Sequence, residues 1–368
     1  MARKLQSDKW MFLATLALIC ISVVMVYSAS AVMAEERFGQ PYLFVTKQVL
    51  WVTLGLALLS IVMRVDYRAY RNERLIWALL GGVGLLLVAV LFSPTVNGTR
   101  RWFAVAGFGI QPSELAKLAA VLFSAVILER RMHRINEITY SLTPIALVVG
   151  GMSALILVEP DFGTAVSLLA VGGVMIFAAG LSYTYLGGAV LLMAPVLGVV
   201  LIQAPYRMKR LVSFLDPWAD PLGDGFQIIQ SLIAVGTGGV LGKGLMAGVQ
   251  KRFYLPEPHT DFIYAVIAEE TGLVGAVVIL ACFGVLAWRG LRTSLRAPDP
   301  FGAFLALGLT MMLVLQAFVN ISVVLGLAPT KGIPLPLVSA GGSSLLISLL
   351  CVGVLLNISQ HATETGAA

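Results

Sequence analysis

Apolar residues run along this chain in long blocks separated by short polar segments, and the blocks are too continuous for the one-sided stripe of a water-exposed helix. Roughly 20 apolar residues cross the hydrocarbon core of a bilayer as a helix. On that measure the pattern predicts ten spans, at about 10–33, 43–63, 75–93, 114–129, 143–158, 162–180, 184–204, 262–288, 301–325 and 340–358. An even number returns both termini to one side. The expected fold class is an all-α integral membrane protein, a single ten-helix polytopic bundle over residues 1–368. The connection at 205–261 is far longer than the others, and Gln227 to Val235 inside it keeps a helix-compatible apolar pattern. A large, partly helical extracellular loop between spans seven and eight is therefore expected. Ala29-Ser30-Ala31 imitates a signal-peptidase site, but the apolar stretch around it is long and nine more spans follow, which argues against cleavage.

Composition agrees. With 58% hydrophobic and 12% charged residues, the chain is not a conventional water-soluble enzyme. The formal net charge of +6 sits in loops between apolar runs rather than on a basic, aromatic-bearing helix, so no nucleic-acid partner is expected. Short loops carrying Arg3, Lys4 and Lys9, Arg64 to Arg74, Arg130 to Arg134 and Arg289 to Arg296 mark the cytoplasmic side. Most other basic residues gather in 97–117 and 207–252, on the outer side. Cys20, Cys282 and Cys351 each lie inside an apolar run, and His133, His259 and His361 are scattered, so neither a redox motif nor a zinc site is indicated. No internal repeat is evident, which weakens an inverted-repeat transporter reading.

Charges inside spans need a partner or a purpose. Glu114 and Lys117 lie three apart on one face of the fourth span, after Ser113 at a helix start. They are either a mutually neutralising pair or, with Arg100 and Arg101 upstream, part of a polar cavity that holds an anion; both readings stay open. Asp161, in Glu159-Pro160-Asp161-Phe162, is placed to cap the sixth span. Lys209, Arg210, Lys251 and Arg252 flank the long loop, as anion ligands or as contacts to lipid headgroups.

Asp261, at the mouth of the eighth span, has two explanations. As an N-cap it would have a lowered pKa and be a weak base; as a general base it would need partial desolvation. The residues alone lean to the cap. Glu269 and Glu270 lie about 12–14 Å further along that helix and need partners inside the bundle. Pro329 to Ser344 is broken by Pro and Gly, a backbone tolerated at membrane depth only where it lines protein or water, which makes Lys331 a cavity-facing cation.

Taken in order, Met25–Ser30, Asn97–Phe103, Gln111–Ala119, Glu159–Ala165, Asp216–Ser231, Leu255–Gly272 and Pro329–Ser344 resemble the SEDS family of bacterial cell-wall polymerases over essentially the whole chain. Met25–Ser30, Glu159 and Gln250–Pro256 look like its division branch more than its elongation branch. The resemblance implies a peptidoglycan glycosyltransferase that polymerises lipid II into glycan strands, with inversion, at the outer face of the bacterial cytoplasmic membrane. It further implies a multi-pass protein with both termini cytoplasmic, at the division septum. Expected partners are lipid II and the nascent lipid-linked glycan, membrane lipid, a class B penicillin-binding protein as transpeptidase, and other division proteins. The family's essential acidic residue falls on Asp261, which reverses the lean to a cap. Arg100, Arg101, Lys117 and Lys331 become candidates for a pyrophosphate clamp, with Glu114 and Ser343 as further substrate-binding candidates. No cofactor is implied with certainty, although a divalent cation (Mg or Mn) would assist the leaving group. A lipid II flippase, an elongation-type polymerase and a non-catalytic scaffold are the alternatives.

Overall fold

The computed structural model describes residues 7–95, 99–105, 108–252 and 254–362. Arg3, Lys4, Asn97, Gly98 and Phe253, which the sequence reading uses, lie outside the described residues.

Ten helices occupy the positions of the expected spans: α1 (Lys9–Phe38), α2 (Leu43–Val62), α3 (Glu73–Val90), α4 (Pro112–Arg131), α5 (Thr143–Val158), α6 (Phe162–Ala178), α7 (Tyr183–Ile202), α10 (Ile263–Leu295), α11 (Pro300–Val324) and α12 (Gly342–Ala362). The long connection contributes α8 (Pro205–Leu215) and α9 (Phe226–Gly238), and a short antiparallel hairpin, β1 (Phe103–Val105) and β2 (Phe108–Ile110), precedes α4. By length and composition, eight helices among the described residues are fit to cross a membrane. The two that fall short do so for separate reasons. α4 carries charge near both ends, from Glu114 and Lys117 to Arg130 and Arg131, and α6 has 17 residues.

Helices α4 and α12 run a few residues past their expected ends, and α1 and α10 run further. α1 begins on the Asp8 cap, which accepts from Met11 N at 3.0 Å, and continues to Phe38 before Gly39 closes it at φ 66°. α10 reaches Leu295 but breaks at Gly272 (φ 67°, ψ −163°), where a Cβ would lie 2.3 Å from Gly242 N. Only glycine permits that approach. The chain after α9 folds onto the break, with Leu273 N donating to Gly239 O (2.9 Å), Lys243 N to Glu269 O (3.0 Å) and Gly244 N to Glu270 O (3.0 Å). Backbone groups freed by the kink are thereby satisfied.

Side chains finish the same job. Glu269 accepts from Lys243 Nζ (2.8 Å) and the backbone N–H of Val249 (2.9 Å), while Glu270 accepts from Ser28 Oγ, Lys251 Nζ and Met246 N. Both glutamates are fully buried and pin the long connection to α10 and α1.

α4, α11 and α12 are the most enclosed helices, whereas no described side chain of α7 is buried, so its apolar surface is left for lipid. At one end of the bundle Asp8 N donates to Ser359 Oγ (3.1 Å), and the Asp8 carboxylate pairs with Arg289. The described chain ends therefore meet there, beside Arg292 and Arg296. Asp261 stands at the opposite end of α10.

Candidate functional site at the outer end of α10

Between α11 and α12 the chain re-enters the bundle without helix, burying Ile333, Leu335, Leu337 and Val338. Its carbonyls would be costly there without donors. Asn320 Nδ2 donates to Ile333 O (2.8 Å), Gln316 Nε2 to Pro334 O (3.0 Å) and Ser22 Oγ to Val338 O (2.7 Å). The segment before α10 is clamped on top of it: Ala340 N donates to His259 O (2.9 Å), Ser339 Oγ to Thr260 O (2.6 Å) and Asn320 Nδ2 to Asp261 O (2.8 Å).

Asp261 is held by its backbone and leaves its carboxylate uncommitted. The cap reading is wrong: the residue capping α10 is Phe262, and no side chain bonds the helix start. Among the described residues the Asp261 carboxylate has no hydrogen-bond partner. It rests against Gly332, where an added Cβ would lie 3.1 Å from Oδ2. Burial pushes its pKa from 3.8 to about 7; Glu257 adds to the rise and Arg101 and Arg210 oppose it.

Gly332 also lines a cavity of about 130 Å³ formed by the α6 entry, the α7–α8 corner and residues 329–333. Arg101, Arg207, Arg210 and Lys331 face it, with Asp161 in its wall. Arg101 is fixed by Glu159 O (3.2 Å) and Pro160 O, Arg207 by Val200 O (2.7 Å) and Tyr206 Oη (2.9 Å). The Arg207 guanidinium and the Lys331 ammonium lie 5.7 Å and 5.2 Å from the Phe162 ring centre. Desolvation lowers the Lys331 pKa, and Asp161 opposes the shift. Asp161 caps α6 through Thr164 N (3.2 Å) and also accepts from Gln111 Nε2 (3.2 Å). Glu159 is fully buried, both its oxygens lack a partner among the described residues, and burial raises it to about 8, so it is mostly a neutral acid at pH 7. The cavity keeps a surplus of positive charge, suited to an anion.

The sequence-derived candidates separate here. Arg101 and Lys331 line the cavity. Arg100 is turned away, with Nη1 donating to Leu91 O at the end of α3 (2.8 Å). Lys117 and Glu114 form a buried pair at 3.0 Å, completed by Gln316 Oε1, and lie outside the cavity lining. Ser343 Oγ accepts from Gln111 N (3.2 Å) and ties α12 to the start of α4. Lys251 is engaged with Glu270. Arg207 carried no weight in the sequence reading, although Arg207 and Arg210 lie three apart on α8, hence on one face. Among the described residues no three His, Cys, Asp or Glu side chains gather as metal ligands. Asp261 and Asp161 alone do not fit a resident divalent cation, and the positive charge facing the cavity is that of arginine and lysine.

A family model described as a cell cycle protein, FTSW_RODA_SPOVE, matches residues 9–364. This chain belongs to that family. It is 44% identical over 362 residues to the probable peptidoglycan glycosyltransferase FtsW of Geobacter metallireducens, covering 97% of this chain and 96% of the relative. It is 43% identical over 368 residues to the stage V sporulation protein E of Bacillus subtilis, covering 98% and 99%. A chain from a solved peptidoglycan synthase complex, described as coordinating polymerization and crosslinking, superposes with a TM-score of 0.80 at 31% identity, covering 97% of this chain and 99% of that one. Within the FtsW/RodA/SpoVE family the chain is most like FtsW, and its multi-pass helical architecture is the family's own.

Proposed function

We propose that this chain is a peptidoglycan glycosyltransferase that polymerises lipid II during cell division, with Asp261 as general base and the cationic cavity as the seat of the leaving pyrophosphate. The observation that carries the reading is the pairing of a carboxylate raised to about 7 with four cations in one adjoining cavity. The 4-hydroxyl of the incoming sugar attacks the anomeric carbon of the lipid-linked donor. As the new C–O bond forms, the hydroxyl proton passes to Asp261, and the electron pair of the breaking C–O bond goes to the pyrophosphate. Arg101, Arg207, Arg210 and Lys331 offset that growing negative charge in a partly dehydrated site. Family membership and the similarity to a synthase complex support a class B penicillin-binding protein as partner. The basic residues at the end shared by Asp8 and Ser359 support a cytoplasmic position for both termini. Asp261 then faces the outside, at the septum.

The test is polymerisation of purified lipid II by the protein with its partner transpeptidase. Arg207→Gln with Arg210→Gln is expected to lower kcat/KM on the order of 10²-fold, whereas Arg100→Gln changes it less than about twofold. A double variant as active as the parent removes the clamp. Gly332→Ala puts a methyl group against Asp261 Oδ2 at an ordinary backbone angle. We expect kcat to drop roughly tenfold or more with thermal stability unchanged, and an unaltered kcat would mean that the carboxylate's position does not govern the reaction.

A further inference from the structure

A second cavity, of about 230 Å³, neighbours the cationic one. Two pairs of consecutive residues link them. Arg101 faces the cationic cavity and Trp102 the second; Thr260 lines the second, while the Asp261 carboxylate meets Gly332 of the first. Asp261 thus lies beside a lining residue of each cavity.

The two chambers differ in chemistry. In place of four cations the second has one, Lys47, and its lining includes Trp51, Trp102, Phe44 and His259. Both indoles are set in place by glycine. A Cβ on Gly109 would lie 3.1 Å from Trp102 Cε3, and one on Gly342 would lie 2.1 Å from Trp51 Nε1. Both rings lie on bare backbone. Phe44 packs against His259 with ring centres 4.5 Å apart and planes tilted by 54°; burial lowers the imidazole to about 4, so it stays neutral at pH 7. Pre-set aromatic faces with a neutral polar edge suit the apolar faces and hydroxyl rims of pyranose rings better than an anion.

We infer that this aromatic cavity is the acceptor subsite, holding the sugars of the lipid II whose 4-hydroxyl attacks. The inference rests on the glycosyltransferase reading and deepens it. Inverting displacement puts nucleophile and leaving group on opposite sides of the anomeric carbon. Two cavities whose lining residues Thr260 and Gly332 flank Asp261 can seat the acceptor sugar and the leaving pyrophosphate separately. The acceptor also carries a pyrophosphate, but that group gains no charge in the reaction, so a single lysine suffices where the leaving pyrophosphate has four cations.

The experiment separates the two roles with two probes. A labelled lipid-pyrophosphate-linked glycan with its terminal 4-hydroxyl blocked can only donate, and a non-cleavable phosphonate analogue of lipid II can only accept. Single-bond formation between them is followed with each concentration varied in turn. Trp102→Ala should raise the KM of the acceptor about tenfold and leave that of the donor within about twofold, with Trp102→Phe largely restoring it. Lys47→Gln, which leaves both indoles in place, should shift the same constant in the same direction. The assignment is overturned if these variants raise the donor KM instead, or leave both unchanged. Absence of any product with the parent protein would overturn the glycosyltransferase reading itself, a result distinct from either.

Discussion

Asp261→Asn is expected to lower kcat for lipid II polymerisation by roughly 10²–10⁴-fold, the range for removing a positioned general base. The amide matches the carboxylate in size and keeps the Asn320 bond to the backbone carbonyl, so the fold should survive the change. With the parent protein, activity should rise with pH through about 7 and then level, because the base works only when deprotonated and burial holds its pKa there. Stability should move the other way. A carboxyl raised from 3.8 to about 7 binds more protons folded than unfolded in that interval, so its destabilising effect is absent below about 4, grows with pH, and is complete above 7. Asp261→Asn should therefore melt higher than the parent at pH 8, with the advantage vanishing towards pH 4. An inactive variant that is also less stable at pH 8 would point to a structural carboxylate rather than a base, and one with full activity would end the assignment.

That opposition between activity and stability could not be read from the chain alone. An aspartate before a helix reads first as a cap, and what overturns that is that α10 begins one residue later and that Asn320 and Ser339 hold the backbone ahead of it. Those contacts span 59 and 79 positions. The spans, by contrast, were legible because lipid selects continuous apolar runs regardless of neighbours. The break in α10 was not, since Gly272 sits within a helical pattern and bends where the segment after α9 comes so close that an added Cβ would lie 2.3 Å from Gly242 N. Arg207 was obscured for a similar reason, while Arg210 stood open between anion ligand and headgroup contact. Arginine beside a membrane reads as a headgroup contact until α8 is seen to turn back over Phe162. Lys331 was legible because a Pro- and Gly-broken segment at membrane depth must border a cavity or protein.

Lys117→Met is expected to cost about 3–5 kcal/mol of stability, the range for removing one partner of a buried ion pair. Glu114 and Lys117 are 3% and 4% exposed, and the ammonium also holds Gln316 Oε1, while Gln316 Nε2 supports the re-entrant segment at Pro334 O (3.0 Å). Taking the lysine away leaves a carboxylate without its cation and an amide oxygen without its donor, deep between α4 and α11. Glu114→Gln in the Lys117→Met background removes the stranded charge and should recover most of the loss, so a double-mutant cycle read from detergent melting curves should give a large favourable coupling. Activity should follow stability in both variants, because the pair acts on the site only through Gln316 and the backbone it supports. The competing role, an anion ligand in the clamp, leads elsewhere: Lys117→Met would keep its melting temperature, raise the KM for lipid II, and gain nothing from Glu114→Gln. Of the two readings open for this pair from its spacing, the 3.0 Å contact and its burial favour the neutralising one.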